Sequence, residues 1–277
     1  MRVTQIHRYP VKSMRAESLD KVHVEPWGLA GDRRWMVVDG AGECITAPEH
    51  PMMLLLHTEL FREGVRIRAP HDVIEAQTPT TVNIQVSVHG RTPFEACLAA
   101  PEAHAWLSVY LDEDVRLVYI DDPTRRRLNP VFSRPTDSAS FQDAYPVLVA
   151  SESSREQLNA WIEGGRFPEE GPLPMNRFRP NIVVDGEEPF AEDSWRRIRV
   201  GSVEFRSPKG SDRCVMTTRD MDTARGGKEP IASLARHRKY DGVTWFGMNL
   251  IPDTLGEIHV GDQVEILETG ESDGPPR

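Results

Sequence analysis

The chain has 277 residues, 39% hydrophobic and 27% charged, the composition of a soluble globular protein long enough for one large domain or two ordinary ones. Its 33 basic and 43 acidic side chains leave a formal charge of −10, which argues against nucleic acid as the main partner. The N-terminal Met1-Arg2-Val3-Thr4-Gln5-Ile6 has no apolar signal core, and no run approaches the ~18 apolar residues of a membrane helix, so a cytoplasmic protein with no membrane partner is expected.

In chain order, strands dominate the first third. Residues 2–9 alternate loosely, 20–25 alternate cleanly, and 34–39 are rich in Trp and Val. Segments 65–68, 73–76 and 82–88 read as further short strands, and this even spacing points to a barrel or sandwich. A helix is expected over 101–111, with Pro101 where a missing N–H costs nothing, followed by a strand at 115–119. The Arg-, Pro- and Ser-rich stretch 121–140 is a loop and the place for a domain boundary. Residues 151–162 form the clearest helix, with Ser151 as its cap and Gly164-Gly165 as its stop. Strands follow at 181–184 and 200–206, a helix at 230–237, and a final strand within 260–267. The expected class is therefore α+β but β-dominated. A barrel-like domain spans 1–122, a second barrel domain with a few helices spans 123–268, and a polar disordered tail covers 269–277.

Three cysteines (Cys44, Cys97 and Cys214) lie far apart with no CxxC pair, which argues against a disulfide framework, a structural zinc site or an iron–sulfur cluster. Cys214 is the candidate for chemistry. It follows Arg213, with Lys209 and Arg206 upstream, and nearby positive charge favours the thiolate. A β-prone run is expected after it. For Cys44 and Cys97 a structural role is expected. Basic residues otherwise gather at Lys12, Arg33-Arg34, Arg125-Arg126-Arg127 and Arg177 with Arg179, the pattern an anionic small ligand would need on an acidic protein.

Tyr9-Pro10-Val11-Lys12-Ser13 and Gly31-Asp32-Arg33-Arg34-Trp35 resemble the opening motifs of proteins with an N-terminal β-barrel of the MOSC class. Phe141-Gln142-Asp143-Ala144, Arg177 to Val184, Ala191 to Trp195, Arg213-Cys214 and Phe246-Gly247-Met248-Asn249 resemble the MOSC domain itself. The similarity runs in order from about Arg2 to Leu267 and includes the amidoxime-reducing components and the bacterial reductases of N-hydroxylated compounds. It implies a molybdenum cofactor (a pterin whose dithiolene sulfurs hold the metal, together with one protein thiolate) and no pyridoxal phosphate. Cys214 matches the thiolate, and the choice is chemically sound because molybdenum takes soft sulfur donors. Lys12, Ser13 and Arg33 match cofactor contacts from the N-terminal domain, and Ser151, Arg179, Asn181, Arg213 and Asn249 match contacts from the MOSC domain. Trp195 and Phe141 are expected to be structural, and Asp143 to sit beside the arginines.

The resemblance implies reduction of a small N-hydroxylated substrate by oxygen-atom transfer. No nucleotide fingerprint and no iron–sulfur cysteines are present to deliver electrons. A separate donor is therefore expected, ferredoxin-like, flavodoxin-like or cytochrome b5-like, with its NAD(P)H reductase. Two other readings stay open at this level. One is a carrier of cofactor or of sulfur on Cys214, and the other is a non-enzymatic barrel that binds an anionic ligand.

Overall fold

The computed structural model describes residues 1–271. Strands β1 (Val3–Arg8), β2 (Glu17–Leu19), β3 (Lys21–Glu25), β4 (Gly28–Leu29) and β5 (Trp35–Val38) open the chain. In β3 the alternation works as written: Val22 and Val24 are buried while Lys21 and His23 face solvent. Strands β6 (His57–Phe61), β7 (Gly64–Arg68) and β8 (Val73–Gln77) form an antiparallel sheet of their own. Then come β9 (Val82–Val86), β10 (Phe94–Leu98), helix α1 (Pro101–Leu111) and β11 (Arg116–Tyr119). Helix α1 starts on Pro101 and stops at Asp112 in the left-handed region.

The second half holds β12 (Val147–Ser151), α2 (Glu152–Glu163), β13 (Ile182–Val184), β14 (Trp195–Val200), β15 (Val203–Arg206) and β16 (Gly210–Arg213). Helix α3 (Ile231–His237), β17 (Lys239–Tyr240), β18 (Val243–Pro252), β19 (Gly256–His259) and β20 (Val264–Thr269) complete it. The β-dominated class with a few helices is thus as expected. The main sheet runs β2-β1-β13-β12-β18-β15-β14-β20, with β16 and β17 also on β18. Its two ends approach each other: Arg2 bridges Gln263, Val3 N–H donates to the Asp262 carbonyl at 3.0 Å, and Val264 N–H to that of Met1 at 2.9 Å. The ring is barrel-like, joined by this bridge and not by a full ladder. Ile6, Val149, Ile182, Ile198, Phe205, Met248 and Leu250 fill it. A second core, around Trp35, Val37, Leu54, Ile67, Leu107 and Leu117, lies under α1 and the N-terminal strands.

The segments before and after residue 122 share sheets. Strand β1 pairs with β13 and β3 pairs with β19, so the N-terminal turns are held against the C-terminal strands.

Three expectations are corrected. Residues 200–206 are not one strand, because Gly201, at φ 57°, turns the chain between β14 and β15. The run after Cys214 is a single 3₁₀ turn, Val215–Thr218, closed by the Thr217 N–H and hydroxyl on the Cys214 carbonyl. The tail does not begin at 269, since β20 reaches Thr269 and Gly270 N–H donates to the Ser194 carbonyl at 2.9 Å. Residues 272–277 of that expected tail lie outside the described residues.

Candidate functional site

A cavity of about 1280 Å³ opens where the N-terminal turns, the loops at 88–94 and 125–145, and the ends of β13, β16 and β18 converge. Lys12, Ser13, Arg33, Arg179, Asn181, Arg213, Cys214 and Asn249 all line it. These expected site residues span most of the chain, and the shared sheets bring them to one place.

Ser151 is the exception. Its hydroxyl caps α2 by accepting from Ser154 N–H at 3.2 Å, and it also bonds Ser154 Oγ at 2.7 Å and the buried Glu192. Having used its oxygen as an N-cap, it faces a separate pocket of about 330 Å³. Ser151 thus caps α2 and does not line the large cavity.

Cys214 is exposed on the cavity wall, whereas Cys44 and Cys97 are buried. Burial pushes the Cys97 thiol up to about 11, with Asp121 adding to the effect, and burial likewise raises Cys44. Those two thiols are inert by this logic. Cys214 is presented by the strand-to-turn junction at the end of β16, and Thr244 Oγ1 donates to the Arg213 carbonyl just before it at 3.2 Å.

One buried carboxylate organises the wall opposite. Asp32, 1% exposed, accepts from Tyr9 N–H at 2.8 Å, Arg33 Nη1 at 2.6 Å, Asn181 Nδ2 at 3.1 Å and Gln142 Nε2 at 3.2 Å. Asn181 is fully engaged in this net, since Nδ2 also donates to the His7 carbonyl while Oδ1 accepts from Leu148 N–H at 3.2 Å and Arg33 at 3.4 Å. Its part in the cavity is to hold Arg33 and Asp32. Asn249 donates to the Gly210 carbonyl at 2.9 Å and so fixes the start of β16.

Strained backbone recurs around the cavity. Ser13, Arg33 and Arg179 have φ of 68°, 49° and 55°, a region that costs a non-glycine residue on the order of 1 kcal/mol or more. His89, at 55°, shares it, so four non-glycine residues of the cavity wall lie in this region. Arg33 and Arg179 stand over the Tyr9 ring at 4.2 and 4.3 Å. Tyr9 itself donates to the Pro180 carbonyl, and burial pushes its phenol up to about 12.

Arg179 is the cation with least support. Its Nη2 is buried with no hydrogen-bond partner, and among the described residues no carboxylate reaches it. Burial pulls its guanidinium down to about 10. In Arg33 burial works the same way, but the pairing with Asp32 outweighs it and raises the group. Arg213 spends Nη1 on Ser211 and Nη2 on the Phe178 carbonyl, each at 2.7 Å, and leaves Nε buried and unbonded. Lys12, 4% exposed, donates to the Phe141 carbonyl at 3.0 Å and pairs with Asp143; burial lowers its ammonium against the pull of that carboxylate. Asp143 projects into the cavity, yet the crowded walls desolvate it. Lys12 and His89 overcome that penalty and hold its carboxyl well below the usual range.

Sequence reading missed Asp32 as the organiser, His89 and Arg91 on the 88–94 loop, and Gln142 beneath. Asp32 was visible inside the Gly-Asp-Arg motif, while His89 and Arg91 carried no local signal. Other basic clusters are structural. Arg34 donates to the Ile120 and Asp121 carbonyls, Arg177 pairs with Asp220, and Arg206 pairs with Asp137 and Asp253. Trp195 and Phe141 lie in the cores as expected, and Asp193 pairs with the buried Arg238.

A β-barrel-like protein with one accessible thiol in a cation-walled cavity is the class that the fold and site define. Residues 1–114 match the model for the MOSC N-terminal beta barrel domain, and residues 136–265 match the MOSC domain. Mitochondrial amidoxime-reducing component 1 of Mus musculus is 31% identical over 96% of this chain and 82% of its own length. The Homo sapiens protein of that name is 29% identical over 96% and 82%. Molybdenum cofactor sulfurase of Oryza sativa subsp. japonica is 29% identical over 92% of this chain and 34% of its own. The chain belongs to the MOSC family, among the relatives of the amidoxime-reducing components.

Proposed function

We propose that this chain is a molybdenum-cofactor-dependent reductase of N-hydroxylated compounds that acts in the cytoplasm. The observation that carries the reading is the pairing of an exposed Cys214 with arginines the protein leaves uncompensated in the same cavity. A buried arginine without a carboxylate is costly unless an anion joins it. Arg179 Nη2 and Arg213 Nε, both orphaned, are donors of the kind a pterin with a phosphate would satisfy. The residues therefore fit the group.

When bound, the cofactor would supply the two-electron reduction of an N–O bond. Cys214 would hold the metal through its sulfur. Lys12, Ser13, Arg33, Arg179 and Arg213 would hold the phosphate and pterin. Asp32 and Asn181 keep Arg33 in place, and Asn249 fixes the strand that carries Arg213 and Cys214. Phe178 and Met216 add apolar surface to the cavity wall. Electrons would come from a separate ferredoxin-like, flavodoxin-like or cytochrome b5-like protein and its NAD(P)H reductase.

The test is metal and pterin analysis of protein made in a cofactor-competent host, with benzamidoxime reduction assayed using a chemical reductant. About one molybdenum per chain with turnover supports the reading; protein free of molybdenum overturns it. The exposure of Cys214 also suits a carrier. A +32 Da adduct on Cys214, or transfer of cofactor to an apo-acceptor without turnover, would favour that role.

A further inference from the structure

Beyond the residues assigned to the cofactor, the cavity is also lined by Arg91, Arg126 and Arg127. A pocket for a single small ligand measures roughly 300–1,000 Å³, and this one is about 1280 Å³. Its cations fall into two groups. Arg33 and Arg179 gather on the Tyr9 ring at 4.2 and 4.3 Å, whereas Arg91 and Arg126 hang from the 88–94 and 125–145 loops, held by the Asp143 and Ser140 carbonyls. Asp143, paired with Lys12 and His89, lines the same cavity.

Arg126 is a built feature. It is 8% exposed, its Nη1 donates to the Ser140 carbonyl at 2.5 Å, and no other hydrogen bond engages its guanidinium among the described residues. No carboxylate pairs with it there either. Arg91 lies beside it on the 88–94 loop, tied to the Asp143 carbonyl at 2.8 Å. Arg127 also lines this side, whereas the neighbouring Arg125 is spent on Asp121. An arginine held in this way presents a bidentate fork to a carboxylate or phosphate.

We propose that Arg91 and Arg126 form a second anion seat that binds a carboxylate or phosphate on the substrate, so that the preferred N-hydroxylated substrates are anionic. The inference rests on the reductase reading, because it names the substrate class of that same cavity. The anionic end of the substrate then lies on the 88–94 and 125–127 side, and its N-hydroxyl end points towards Cys214.

The experiment measures calorimetric binding of benzamidoxime and 4-carboxybenzamidoxime to the full oxidised chain, together with turnover of both and molybdenum content. The carboxylated compound should bind about tenfold more tightly, the worth of one charge-assisted hydrogen bond. Arg91→Gln, at an exposed position, and Arg126→Gln should each bring the ratio of the two affinities towards one. Equal affinities in the unsubstituted chain would overturn the seat, as would variants that weaken both compounds equally or lose molybdenum in proportion. Should the charged compound be preferred while neither is reduced, the seat stands and the reductase reading falls; reduction of both with equal KM has the reverse meaning. Stronger competition by inorganic phosphate than by acetate would assign the seat to phosphate esters, and the opposite order to carboxylates.

Discussion

Two arginine-rich regions of this molecule look alike in sequence and behave differently in structure. On the outer wall of the ring, Arg197 and Arg199 reach Glu204 at 2.7 and 2.9 Å, and Arg199 also reaches Glu265 at 2.9 Å. In the cavity, Arg126, Arg179 and Arg213 have no carboxylate within ion-pair distance among the described residues, although Asp143 stands nearby. The outer pairs are partly exposed and worth little, as such pairs usually are. The inner cations cost stability until an anion arrives. The cavity differs in holding, among the described residues, three arginines with no ion pair beside two paired cations, Arg33 and Lys12.

The comparison can be broken most sharply at the thiol. Cys214→Ser should cut molybdenum retention and amidoxime turnover by about 100-fold or more, because an alcohol replaces the soft anionic donor. The melting temperature should stay in place, since the side chain is exposed; an intact metal content measured by mass spectrometry would end the assignment. Next is the carboxylate that organises the inner group. Asp32→Asn should destabilise the fold by on the order of 3 kcal/mol in urea unfolding, because a buried acceptor of four donors loses its charge beside Arg33. A loss under about 0.5 kcal/mol, the range of an ordinary surface change, would show that the net is dispensable.

A matched pair sharpens the contrast between regions. Arg179→Met should raise the stability of the cofactor-free chain by about 1 kcal/mol while abolishing its protection by phosphate. Arg199→Met should change stability by less than about 0.5 kcal/mol and leave that protection intact. The smallest effect concerns acid. Because the folded Asp143 carboxyl titrates well below its unfolded value, its stabilisation is complete above about pH 4 and is lost as pH falls from there towards the folded value. Asp143→Asn should flatten the acid limb of a stability profile below about pH 4 and do little at neutrality.

The parts of this structure readable from sequence were those carried by local pattern. Val22 and Val24 alternate with polar neighbours, Pro101 opens its helix, and Ser151 with Gly164 brackets another. Strand β18 escaped because Val243 to Pro252 is buried almost throughout, so no alternation marks it. Cys214 and Arg179 were legible because charge and thiol lie close in sequence to motif residues. Arg91 and His89 were not, since what makes them part of the cavity is a loop brought there by β9 and β10. Ser151 was legible as a cap from its place before a helix, but which pocket it lines depends on Glu192 and Gly186, far away in sequence.

The pairing of β1 with β13 and of β3 with β19 means that neither half of this polypeptide is autonomous. Severed between residues 121 and 140, the two pieces would each present an unpaired strand edge and lack half of the cavity wall. Reassembly of such fragments would thus report assembly of the pocket itself, making complementation a direct gauge of whether an anion nucleates the join.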